Sequence, residues 1–221
     1  MKESRRSAAL CGVMTLVLFA VLSGDMHARL AYAGTWGQTL ALAALFTAVA
    51  GGAMLAVARL QRPTRGALLL SCAFIMLTML ARVSMLDYVT ADYTSFLSKW
   101  VELFREGGFK TLGQNVGDYN LLYQYVLLLI AKTPLHDLYL IKLFTVIFDY
   151  ALAIAMMRAA GYFAGEKAAL PVMMLVCALP TTLIDGACWG QCDTVYAFLV
   201  VMSLYWMKTK KPVRAAVMLS L

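Results

Sequence analysis

Charge is scarce in this chain. Aspartate, glutamate, lysine and arginine make up 14% of its 221 residues, against about 25% in soluble domains. That shortage excludes a soluble enzyme built around a large core. Histidine is scarcer still, with His27 and His136 alone. Cys188 and Cys192 flank a Trp-Gly-Gln triplet, but neither histidine is near them in sequence, so a metal centre lacks ligands there. A disulfide between the two cysteines requires an oxidising compartment. Cys11, Cys72 and Cys177 lie in apolar runs and read as packing residues. No basic cluster is interleaved with exposed aromatics, which argues against nucleic acid as a partner. No inverted repeat is visible.

Apolar sequence is abundant: 62% of residues are hydrophobic and the mean hydropathy is +0.75. The expected fold class is an all-α polytopic membrane protein. Spans are expected at about 8–23, 39–58, 66–86, 138–160, 168–184 and 194–207, each near the ~20 residues a bilayer core requires once interfacial residues are counted. The basic N-terminus and first apolar run look like a signal peptide, with Ala31-Tyr32-Ala33 as a cleavage site. That site lies far beyond the run, so an uncleaved first span is expected.

Residues 121–131, LLYQYVLLLIA, are too few to cross ~30 Å of hydrocarbon at 1.5 Å per residue. If they do not cross and the N-terminus is cytoplasmic, twelve of the nineteen basic residues face the cytoplasm. These are Lys2, Arg5, Arg6, Arg59, Arg62, Arg65, Arg158, Lys167, Lys208, Lys210, Lys211 and Arg214. Only Glu3 and Glu166 of the twelve acids join them. The positive-inside rule favours this arrangement. It places loops 87–137 and 185–193 on one extracytoplasmic face.

The first of these loops opens with Asp87 and Asp92 and carries Asp118 near its end. Between them Phe96, Trp100, Leu103 and Phe104 recur at helical spacing. Gly107-Gly108 stops that helix. We expect an amphipathic extracytoplasmic helix on the membrane surface, with carboxylates and aromatic rings at the water boundary. An acid placed there serves as a general base or holds a divalent cation. It also reads as an ordinary solvated loop acid, and Asp118-Tyr119-Asn120 as a helix cap. Within span 138–160, Lys142 and Asp149 share a face about 10 Å apart. An ionised acid at that depth costs several kcal/mol unless paired or hydrated. The face either packs on a neighbouring helix or lines a cavity, with Lys142 near a lipid phosphate. In the second loop Pro180 breaks the incoming helix, Gly186 and Gly190 permit tight turns, and Trp189 suits the interface.

Taken together, these elements resemble a known pattern. Asp92 is followed by Phe96 and Trp100, then Gly107-Gly108, then Asp118-Tyr119 before an apolar helix. Tyr139-Leu-Ile-Lys142 follows with Asp149, and finally Pro180 leads to Trp189-Gly190-Gln191-Cys192-Asp193. The chain from 87 to 211 resembles the GPI mannosyltransferase II-related bacterial membrane glycosyltransferases of the GT-C superfamily. It departs from them at Asn120-Leu121, where the family has two prolines. Two spans precede the family's usual first span, and the chain stops where such proteins continue. It is therefore expected to be the N-terminal part of a longer protein.

The resemblance implies a GT-C-like transmembrane helix bundle in the bacterial plasma membrane. It implies a polyprenyl-phosphate-linked sugar, mannose or another hexose, as donor and a lipid or glycan hydroxyl as acceptor. Asp92 is then the catalytic base. Asp87, Asp118, Tyr119, Trp189, Gln191 and Asp193 bind substrate or a divalent cation, and Lys142 offsets charge on the leaving phosphate. A lipid or small-molecule transporter is the alternative, since transport pathways carry intramembrane acids and bases. A non-catalytic membrane subunit is the other.

Overall fold

The computed structural model describes residues 2–114, 116–117 and 119–221, with side chains from residue 5 onward. Asp118, one of the expected substrate-binding residues, lies outside the described residues. The described chain is 83% helical and contains no strand.

Helix α1 runs Lys2–Arg29, α2 Trp36–Leu60 and α3 Arg65–Val83. The long connection between α3 and the next long helix holds α4 (Ser98–Gly107) and α5 (Leu121–Ala131). Then come α6 (Asp137–Ala164), α7 (Glu166–Ala178), α8 (Asp193–Lys208) and α9 (Pro212–Ser220). Helices α1, α2, α3 and α6 are long and apolar enough to cross a bilayer. A fifth span is counted if α7 is joined to the π-helical segment Thr182–Trp189, which follows it at a bend of 42°. These helices make the chain an integral membrane protein. The expectation of six spans exceeded this count because α8 has 16 residues, about 24 Å of rise.

Local sequence explains the boundaries. Thr35 and Gln38 close a capping box at the start of α2, and Thr64 and Asn120 accept from backbone N–H groups at the starts of α3 and α5. Gly108, at φ 57°, ends α4. Leu179 is forced into extended backbone by Pro180, which interrupts the α7 ladder. The Thr182 hydroxyl then donates to the carbonyls of Val176, at 2.8 Å, and Leu179, at 3.0 Å.

Helix α6 is the hub. It packs against α2, α7 and α8, and it buries Tyr139, Lys142, Val146, Asp149, Ala153 and Met157. At one end of the bundle the loops are tied together. The Ala31 N–H donates to Asp87, the Tyr32 N–H to the Tyr139 hydroxyl (2.9 Å), and Gln38 Nε2 to the Pro134 carbonyl (2.8 Å). At the opposite end Tyr162 donates to the Lys208 carbonyl and Arg158 lies over the Tyr205 ring. We call these the loop end and the basic end.

The amphipathic segment divides its apolar residues between two faces. Tyr93, Leu97, Val101 and Phe104 are buried, whereas Phe96 and Leu103 are about half exposed. A π-helical turn over Tyr93–Leu97 precedes α4.

Candidate functional site

Two loops build the site. In the first, the Thr90 hydroxyl accepts from the Tyr93 N–H (3.1 Å) and starts the π-helical turn, which holds Asp92 just before it. In the second, Gly190 adopts a left-handed conformation, φ 84°. Its N–H and that of Gln191 both donate to the Asp185 carbonyl, at 2.9 and 3.0 Å. The chain reverses there and turns Gln191 toward the first loop.

The loops meet through that glutamine. Gln191 Nε2 donates to Asp92 Oδ2 at 2.9 Å, and Gln191 Oε1 accepts from the Tyr119 hydroxyl at 3.2 Å. Both ends of the amide are used, one by an acceptor and one by a donor, which fixes its orientation. Tyr119 packs edge-on to Trp100 and against Tyr123. Gly117, at φ 69°, allows the loop to pass Trp100. A Cβ there would fall 2.7 Å from the indole.

Burial, with smaller contributions from Cys192, Asp92, Asp193 and Asp185, pushes the Tyr119 hydroxyl up to about 12. It therefore remains a neutral donor across the physiological range. Burial likewise raises the Cys192 thiol. Cys188 and Cys192 are free thiols.

A cleft of about 690 Å³ lies between α6, α7, the second loop and the start of α8, and Asp92, Tyr119 and Gln191 are not among its lining residues. Asp185, Trp189 and Asp193 line its loop-end portion, and Leu152, Met156 and Val176 continue it as an apolar wall. Trp189 is half exposed and Asp193 begins α8, where a carboxylate suits the helix N-terminus. Among the described residues no group of three or more His, Cys, Asp or Glu is arranged to hold a metal ion.

Two expected site residues are tied into the scaffold. Asp87 accepts from the Tyr139 hydroxyl at 2.5 Å and from the Ala31 backbone at 3.2 Å, stapling α6 to the α1–α2 turn. Lys142, 1% exposed, spends all three ammonium protons on the carbonyls of Met85, Leu86 and Tyr88, at 3.0, 2.8 and 2.7 Å. It holds the turn that follows α3. The Lys142–Asp149 face lines no open cavity, because both residues are buried.

Asp149 has a different partner. Arg82 Nε donates to Asp149 Oδ2 at 3.0 Å, both side chains fully enclosed. The guanidinium also donates to the carbonyls of Thr78 and Cys177 and stands over the Tyr150 ring. Sequence reasoning passed over Arg82. Its signal was available, since a lone arginine inside an apolar run requires a buried acid to match it. The second loop rests on this pair. A Cβ added at Gly186 would fall 2.7 Å from Asp149 Oδ2.

No family model, curated protein or solved structure matches the chain.

Proposed function

We propose that the chain is a membrane glycosyltransferase of GT-C type. It moves mannose or another hexose from a polyprenyl-phosphate-linked donor to an acceptor hydroxyl, with inversion, at the loop end. The observation that carries this reading is the hydrogen bond between Gln191 and Asp92. It unites an acid of the first loop with the Trp-Gly-Gln-x-Asp turn of the second, ninety-nine residues away. In this reading Asp92 takes the proton of the acceptor hydroxyl while that oxygen bonds to the anomeric carbon. The bond from that carbon to the phosphate oxygen breaks, and the polyprenyl phosphate leaves with its electron pair. Gln191 holds one carboxylate oxygen and so aims the base. Tyr119 holds Gln191. The cleft beside Trp189 and Asp193 takes the lipid-bearing substrate, its apolar wall matching a chain in the bilayer. Asp92 with Asp193 is the pair to examine for divalent-cation dependence.

Orientation follows from charge. The basic end carries Arg59, Arg62, Arg65, Lys167, Lys208, Lys210 and Lys211 and is assigned to the cytoplasm, with the N-terminus. The loop end then faces outward.

The test is transfer of labelled hexose from a polyprenyl-phosphate donor by the full chain in membranes. Asp92→Asn keeps an acceptor for Gln191 but removes the base, and is expected to lower the rate about 100-fold or more. An unchanged rate rejects the assignment. A transporter is the second reading, favoured by the ion pair within the span. It expects Asp149→Asn to abolish solute movement across sealed vesicles while Asp92→Asn leaves it intact.

A further inference from the structure

A second groove lies away from the loops, between α2, α6 and α8, with a volume of about 460 Å³. Its walls are apolar. On α2 they include Ala48, Gly52 and Ala56, and a Cβ added at Gly52 would meet nothing within 4 Å. Ile154 and Phe198 form the facing wall. One feature breaks the apolar lining: Arg158 reaches the groove at the basic end, beside Trp206. The Arg158 guanidinium stands 5.0 Å from the centre of the Tyr205 ring, and the Arg214 guanidinium 5.8 Å from that of Trp206. Neither arginine has a carboxylate partner among the described ion pairs. Arg59 continues the row of Gly52 and Ala56 by helical register and is exposed at the same end.

A slot that is greasy along its length and basic at one mouth matches one class of ligand. We propose that this groove binds an anionic phospholipid, with an acyl chain along α2 and the phosphate between Arg158 and Arg214. The planar guanidinium forms paired hydrogen bonds to phosphate oxygens. Stacking on aromatic rings holds each arginine extended before the lipid arrives. Basic pockets between membrane helices recognise anionic headgroups in this way. The site is separate from the Asp92 junction and does not depend on the transferase reading.

The test uses the purified full chain in detergent, titrated with dioleoylphosphatidylglycerol or dioleoylphosphatidylcholine. Native mass spectrometry counts retained lipid, and thermal unfolding reports stabilisation. Wild type is expected to retain one phosphatidylglycerol in preference to phosphatidylcholine, and to unfold at higher temperature with it. Arg158→Gln and Arg214→Gln are each expected to cut that preference about fivefold. Gly52→Leu fills the slot without touching either arginine and is expected to abolish retention. Equal retention of the two lipids overturns the proposal. So does a Gly52→Leu protein that keeps its phosphatidylglycerol, which indicates headgroup adsorption on the rim. Equal protection by inorganic phosphate, or a dimer mass in place of the lipid adduct, overturns it as well.

Discussion

Arg82 and Asp149 show what single residues decide here. Both are removed from solvent, and each leaves the other charged and unpaired if it is lost. Arg82→Met is expected to destabilise the chain by about 3–5 kcal/mol, because a buried carboxylate remains without its cation. The double variant Arg82→Met with Asp149→Leu is expected to regain most of that loss, since an apolar pair of similar size carries no desolvation cost. Unfolding in a mixed-micelle denaturant series checks both. A double variant as unstable as the single one would contradict this account. Tyr119 makes a smaller, pH-dependent contribution. Its folded pKa lies above its ordinary value near 10, so the folded state holds the proton more tightly. The resulting stabilisation is complete below pH ~10 and is lost as pH rises toward 12. The stability difference between wild type and Tyr119→Phe should therefore be constant from neutral pH to about 9 and shrink above 10. A difference that shrinks on acidification would be inconsistent with a phenol donor.

Among the elements, the π-helical segment Thr182–Trp189 governs the site. Its position on Asp149 leaves no room at Gly186, where a methyl group would meet a carboxylate pinned by Arg82. Gly186→Ala is expected to cost about 1–3 kcal/mol and to shift the whole turn. The readout is a cysteine pair at positions 92 and 191, with the native cysteines at 188 and 192 replaced by serine. Oxidation should join the pair readily in the parent chain and poorly beside Gly186→Ala. Along the amphipathic segment Tyr93, Leu97, Val101 and Phe104 turn to protein, while Phe96 and Leu103 stay about half exposed on the adjoining face. Hydrophobic spacing alone carries no mark of a single widened turn, since such a turn depends on what the helix packs against. The break after α7, by contrast, was legible. Pro180 withholds a backbone donor and constrains the residue before it, whatever surrounds them.

For the whole molecule, the arrangement of charge is the organising fact. The turns between α2 and α3, between α6 and α7, and after α8 carry basic residues and lie together at one end. Asp87, Asp92, Asp137, Asp185 and Asp193 lie toward the other. Cysteines introduced at Gly113 and Lys210, in a chain lacking Cys188 and Cys192, are expected to react with an impermeant maleimide from opposite sides of a sealed membrane. Labelling of both from one side would reject the topology.

The sequence by itself determined that the chain is helical and membrane-embedded, because scarce charge and long apolar runs permit no other solvent. It also determined that residues 121–131 form a short helix and that the two acidic loops share an end. Parity of crossings and the distribution of lysine and arginine suffice for both. Only the tertiary structure decided which polar groups face one another. In the structure Lys142 is held by three carbonyls of the turn after α3, and Asp149 needed a cation that the sequence offered in two places. Partner choice in a low-dielectric interior is set by distances of a few ångströms between helices far apart in sequence. Helical periodicity within one chain segment carries no information about those distances.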